Sequence, residues 1–294
     1  MSKPMLPNYG GQALIEGVMM RGTRVVAIAM RNPNHEIITQ TEPLGKIYKS
    51  KISKIPFLRG LVILWDALGL GMRALTISAN MQSGKDEKLE GPVLYLTIIS
   101  ALTLAVILFF LIPTGLGQLA SHYLGINQWW SNILEGLVRL IILIGYIGSV
   151  GKIPEIDRVF AYHGAEHKTI NAFEDGTELT PENVVRYSVE HPRCGTAFLL
   201  DVVFLSVILY SFLGPMSIIW RVISRLLLIP VIAGIAYEYL RWTANHQELS
   251  WVKVLVKPNL ALQHLTTREP TLDMLEVSIA SFNAMRQAEQ ENIV

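Results

Sequence analysis

The segment Ala161-Tyr-His-Gly-Ala-Glu-His-Lys168 holds His163, Glu166 and His167 in the order H-x-x-E-H. Two histidines four residues apart share one face of a helix, so both imidazoles can meet a single metal ion. Glu166 beside them can ligate, or act as a base toward water at the ion. This is the order found in inverted zincins, which take a further carboxylate ligand from a distant helix. Glu238, 71 residues after His167, is the candidate for that role. A second pair, His191 and Cys194, falls in His191-Pro-Arg-Cys194-Gly, where Pro192 holds the preceding residue extended. The sequence thus names Glu166 as catalytic and His163, His167, His191 and Glu238 as ligands to a divalent ion such as Zn²⁺. Cys194, Asp201, Glu16 and Arg21 are further site candidates.

Each of these residues also has a plain structural reading. The histidines can hydrogen-bond across a bundle, and Cys194 can pack as a small apolar residue. Asp201 can pair with a loop Lys or Arg, and Glu238 with Arg241. Glu16 and Arg21 lie in Gly10-Gly-Gln-Ala-Leu-Ile-Glu16-Gly-Val-Met-Met-Arg21-Gly22. This glycine-rich stretch fits neither a P-loop nor a dinucleotide fingerprint. It reads as a substrate loop or as a turn leading into the first strand.

The elements that position these groups are mostly apolar helices. Of 294 residues, 51% are hydrophobic and 17% charged, against about 25% charge in ordinary soluble domains. Four apolar segments suggest spans at 92–112, 133–150, 197–213 and 218–240. The first has no charge, whereas the others contain Glu135, Arg139, Asp201, Arg221, Arg225 and Glu238. Charged residues in spans call for partners, and Glu135 is the natural one for the arginines. Residues 113–132 hold no Lys or Arg, while Arg73, Lys152, Arg158, Arg241 and Lys253 lie in the other flanks. That asymmetry predicts four spans with both termini in the cytoplasm.

The expected fold class is therefore mainly α: a polytopic helical membrane protein with about four transmembrane helices and a small N-terminal β-hairpin element. Its parts are a cytosolic N-terminal region (1–91), a first transmembrane hairpin (92–150), a cytosolic loop with the H-x-x-E-H motif (151–196), a second transmembrane hairpin (197–240) and a cytosolic tail (241–294). The hairpin is predicted at 25–30 and 36–41, on either side of Arg31-Asn-Pro-Asn-His35. Residues 57–81 carry Arg59, Asp66 and Arg73 seven apart, which suits an amphipathic helix on the membrane surface better than a fifth span. Residues 258–270 look irregular, and 271–291 have the spacing of a terminal helix. The N-terminal MSKPMLPNYGG has no apolar h-region, so no cleavable signal is expected. A lone cysteine excludes an internal disulfide framework.

The motifs GGQALIEGVMMRG (10–22), YHGAEHK (162–168), HPRCGTAFLL (191–200), YEYLRW (237–242) and LQHLTTREP (262–270), in this order, resemble the YqhQ-like family of bacterial membrane proteins. The resemblance covers nearly the whole chain. It implies a multi-span inner-membrane protein and a predicted metal-dependent enzyme of unidentified substrate. The leading functional reading is a metal-dependent hydrolase at the cytosolic membrane face, with the lipid bilayer and that substrate as partners. A non-enzymatic scaffold or assembly factor is the alternative. A small-solute transporter using Asp201, Arg221 and Arg225 is a third reading, and it would need a homo-oligomer. Near-balanced charge (25 Lys+Arg, 24 Asp+Glu) and the lack of a stacking platform argue against nucleic acid.

Overall fold

The computed structural model describes residues 9–45, 55–83 and 88–291. The N-terminal region is larger than a hairpin. Strands β1 (Gly10–Leu14), β2 (Gly17–Arg21), β3 (Val25–Arg31) and β4 (Ile37–Pro43) form one antiparallel meander in the order β1-β2-β3-β4. The expected hairpin is β3–β4, and the glycine-rich stretch supplies β1–β2. Its two-residue turn puts Glu16 at φ 52°, the left-handed region. Gly17 is dictated by contact: a Cβ there would lie 2.5 Å from the Ala29 carbonyl.

Helix α1 (Leu58–Gln82) packs Ala74 and partly buried Leu70 and Leu75 on the Met19–Ile28 face of the sheet. It turns Trp65, Leu68 and Met72 outward. A long helix then runs from Gly91 to Leu124, 34 residues, as α2 (Gly91–Val106), a π-helical turn (Ile107–Leu111) and α3 (Ile112–Leu124). None of α2 is buried. Gly125 closes α3 at φ 65°, and Asn127 caps α4 (Gln128–Val150) by accepting from the Trp130 amide. Next come α5 (Pro154–Glu174), a short α6 (Pro181–Val184) and α7 (Gly195–Ser211). Helices α8 (Ile218–Leu227) and α9 (Ile229–Asn245) meet at a 42° bend. The chain ends with α10 (Ser250–Thr266) and α11 (Leu272–Glu291).

Among the described residues two helices, Gly91–Leu124 and Gln128–Val150, are long and apolar enough to cross a bilayer, and α8–α9 makes a third if the bent pair counts as one. This corrects the expected four. Helix α7 has only 17 residues, about 25 Å of rise against a hydrocarbon core of about 30 Å. The first apolar run also continues past 112 as helix: Pro113 follows the π-helical turn, and the Arg139 side chain replaces the donor it lacks. The segment read as irregular from 258 is helical to Thr266. Pro258 lies inside α10, and burial of Val252, Val256 and Leu262 offsets its cost of about 3 kcal/mol.

The polar core and the membrane-facing part are distinct. Tyr162, Ala165 and Ile170 of α5 share a core with Val18 and Met20 of β2 and with Leu275, Phe282 and Met285 of α11. Glu289 near the end of α11 locks this unit by accepting from the Thr23 and Arg24 amides (2.5 and 2.9 Å). Among the apolar helices, Glu135 accepts from Arg139, Arg221, Arg225 and Thr114 at 2.9–3.1 Å. Arg139 also donates to the Phe109 carbonyl (2.8 Å) inside the π turn. Pro113, four residues later, has no N–H for that carbonyl, and the guanidinium takes its place.

Removing one partner of a buried ion pair typically costs about 3–5 kcal/mol. Glu135→Ala strips the carboxylate from three guanidiniums. It is expected to lower the detergent-solubilised unfolding midpoint sharply or to prevent accumulation, read by thermal unfolding and membrane yield against wild type.

Candidate metal centre

Helix α5 begins at Pro154, whose fixed φ suits the first turn, with Glu155 and Asp157 beside the positive end of the helix. Its middle is unusual. Glu166, His167, Lys168 and Thr169 are all buried. Polar groups withdrawn from water need partners, and tracing these partners builds the site.

His163 contacts the Thr266 carbonyl through Nδ1 at 2.9 Å, and His167 contacts the Val189 carbonyl through Nδ1 at 2.5 Å. A carbonyl only accepts, so each ring carries its proton on Nδ1 and presents a lone pair at Nε2. Nε2 of His163 lies 3.2 Å from Cys194 Sγ. Nε2 of His167 is buried with no hydrogen-bond partner. The two rings meet edge to face, 4.3 Å between centroids. The ligand atoms of His163, His167 and Cys194 all lie within 4.8 Å of one another. Around a tetrahedral Zn²⁺ with bonds of about 2.0–2.3 Å, such atoms sit about 3.3–3.8 Å apart. Two oriented imidazoles, a thiol and one orphaned lone pair suit a borderline-soft divalent ion.

The two carbonyls are themselves held. Lys168, almost fully buried, donates to the Val185 and Tyr187 carbonyls (2.8 and 2.6 Å) and pairs with Glu269 (2.9 Å). That ties both the loop bearing Val189 and the turn after Thr266 to α5. Gly164 lets the second of these approach: a Cβ there would lie 2.1 Å from the Arg268 carbonyl. The Arg268 amide bonds the Phe160 carbonyl at 3.0 Å. Cys194 caps α7, its sulfur facing the Thr196 amide. Gln263 exchanges two hydrogen bonds with the His191 backbone (3.0 and 2.9 Å).

Glu166 faces the sheet. Gly11 of β1 comes so close that a Cβ would sit 2.9 Å from the Glu166 carboxyl carbon. Burial pushes this carboxyl up, while nearby His163 and His191 and the Gly11 amide pull it down. Burial lowers His167. The Cys194 sulfur opposes this, although it lacks hydrogen-bond geometry to Nε2. His191 is buried 5.6 Å from the His167 ring and is pushed down by burial to about 4, with Glu166 opposing. Its Nε2 is 3.8 Å from Glu174, which is held by Arg193.

The remaining candidates lie elsewhere. Glu238 forms a two-pronged pair with Arg59 of α1 and accepts from the Phe57 amide (3.1 Å). It lies apart from the histidine cluster, and the residue whose ligand atom groups with those of His163 and His167 is Cys194. Asp201 accepts from Asn259 of α10 (3.1 Å) and meets no loop cation there. Glu16 takes both prongs of Arg158 (2.5 and 2.6 Å) and the Tyr162 hydroxyl (3.2 Å), and Arg158 holds its carboxyl below the usual range. Arg21 ends β2, opposite Gly10 and Val26. Val189 lies outside every motif and acts only through its main-chain carbonyl; Gln263 and Thr266 fall within LQHLTTREP, but nothing in the sequence ties that stretch to α5. A cavity of about 580 Å³ opens beside His191, lined by Asn171, Tyr187, Glu190, Pro192, Lys253 and Lys257 among others.

Comparison with known proteins adds a family. Residues 55–288 match the model of a protein family of unknown function, DUF1385. The chain is 37% identical over 299 residues to the uncharacterized protein YqhQ of Bacillus subtilis (strain 168), covering 96% of this chain and 93% of the relative. No solved structure matches.

Two outcomes are expected from this geometry. Gly164→Ala should push the 266–268 backbone off α5 and cost about 2 kcal/mol or more, read as a lowered unfolding midpoint. His191 binds its proton more weakly folded than unfolded, so its stabilisation is complete above about pH 6.5 and is lost as pH falls toward 4. Unfolding measured across that window should show the loss in wild type and a flatter profile in His191→Gln.

Proposed function

We propose that this chain, which belongs to the DUF1385 family of unknown function, is a membrane enzyme holding a divalent ion such as Zn²⁺ on His163, His167 and Cys194. The observation that carries this reading is the buried Nε2 of His167. It has no partner, while its Nδ1 and that of His163 are fixed on carbonyls. A purely packing role for the pair would leave that lone pair desolvated for nothing. When bound, the ion supplies Lewis acidity and eases deprotonation of water.

The remaining chemistry belongs to the chain. In this reading Glu166 accepts a proton from water and returns it to a leaving group; the support is its position between the two histidines on α5 and its electrostatic contact with His163 and His191, although its carboxyl packs on Gly11. The reaction class is hydrolysis. His191, neutral at pH 7 on its depressed pKa, can donate or accept one hydrogen bond at its ring without bringing a charge into the site. The cavity lined by its neighbours Glu190 and Pro192 mixes apolar Val256 and Leu260 with Lys253 and Lys257, which supports an amphipathic substrate. The loop charges support an inner-membrane placement with the centre and both termini on the cytoplasmic side.

A scaffold reading draws on one observation, the density of cross-links from Lys168 and Gln263 to distant loops. A metal that only staples those loops would occupy the same ligands. Elemental analysis of full-length protein in detergent is expected to give about one zinc per chain, and none in His167→Ala or Cys194→Ser. Metal-free wild type would end the metal-centre reading. Glu166→Gln that keeps its metal and fold, and loses hydrolysis of amphipathic ester or peptide reporters, supports the enzyme over the staple.

A further inference from the structure

The apolar helices contain a charge imbalance that the metal centre does not use. Arg139, Arg221 and Arg225 are almost wholly buried around one carboxylate, Glu135. Three guanidiniums against one carboxylate leave a formal charge of +2 in an apolar bundle. Glu135 already accepts five donors, from Thr114 Oγ1, Arg139, Arg221 and, twice, Arg225. It has no lone pair left to offer. The other acceptors are all neutral: Asn132 Oδ1 takes Arg221 and Arg225, Ser131 Oγ and Gln118 Oε1 take Arg221, Ser224 Oγ takes Arg225, and Ser206 Oγ and the Phe109 carbonyl take Arg139. Nε of Arg221 is buried with no partner at all.

Uncompensated charge in a low-dielectric interior is costly, and these arginines do not deprotonate to relieve it. We propose that the cluster is an anion site whose ligand bears a phosphate group, held between the guanidinium forks of Arg221 and Arg225. A phosphate dianion matches the excess of +2, and paired N–H donors match its oxygens. Access is through α8. This ten-residue helix carries both arginines on its inner side and exposes Ile218, Ile219, Trp220 and Leu227 outward. It joins α9 at the 42° bend, where Pro230 lies in the first turn of α9, and this bend is the hinge such entry would use. The phosphate comes from a lipid headgroup or from a free anion, and the two differ only in what is attached to it.

Full-length protein, delipidated in a sugar-headed detergent that contains no phosphate, is titrated with inorganic phosphate, pyrophosphate and a short-chain phosphatidylglycerol. Binding at one equivalent per chain should raise the unfolding midpoint by about 3 °C or more. A response to phosphate or pyrophosphate supports the site with a free anion as ligand. A response to the lipid alone supports it with a headgroup as ligand. Folded wild type that responds to none of the three overturns the proposal. Arg221→Gln, monodisperse and with wild-type helicity, should bind at least about tenfold more weakly. Unchanged binding overturns the proposal as well. If that variant does not accumulate, Arg221→Lys keeps the charge and loses the fork, and its binding must also weaken. Zinc content should not change in either variant, which separates this site from the metal centre.

Discussion

Two hydrogen bonds from imidazole Nδ1 to main-chain carbonyls, His163 to Thr266 and His167 to Val189, organise the candidate site. They fix the tautomers, leave both Nε2 lone pairs inside the cluster with Cys194, and require two remote segments to lie against α5. Lys168 and Gly164 meet that requirement from opposite sides. One is a buried ammonium gripping carbonyls of the 185–187 loop, and the other is a missing side chain that lets the 268 carbonyl touch the helix. The motif is therefore a packing device as well as a ligand set: of its consecutive residues, Gly164, Ala165, Glu166, His167 and Lys168 each face protein.

The helical pair, its acid neighbour and the apolar segments were legible from spacing alone, because helix periodicity puts i and i+4 on one face whatever the tertiary context. The partner of Glu135 was legible too, since buried arginines leave few choices. The third ligand was not. Glu238 had the right residue type and the right end of an apolar segment, but the position of Arg59, 179 residues earlier, decided its role. Cys194 was equally open to a packing reading until the fold set its sulfur beside His163. The glycine-rich stretch reads in sequence as a substrate loop or a turn into the first strand, and its pairing as β1–β2 is hidden because the turn falls at Glu16, a non-glycine residue in the left-handed region held by Arg158 and Tyr162 from another element. Helix α10 ran through Pro258 for the same reason: tertiary burial outweighed a local signal.

The apolar half follows a different logic. There a side chain completes the backbone. The π turn and Pro113 leave the Phe109 carbonyl without its helical donor, and Arg139 fills the gap. Arg225 stacks on the Tyr210 ring, 4.3 Å from its centroid, at the end of α7 remote from Cys194. The sixteen residues between Cys194 and Tyr210 correspond to about 24 Å of helix rise. The metal centre and the arginine cluster thus sit at opposite ends of one rod.

The shared core of β2, α5 and α11 has a further consequence. Its three pieces come from before the first long apolar helix, from between the two apolar groups, and from after the last. All three must occupy one compartment. Each excursion into the bilayer therefore returns to the side it left, and the number of crossings is even. The bent α8–α9 pair cannot traverse the membrane by itself: either α7 completes a round trip with it, despite its shortness, or both dip in and come back out on the same face.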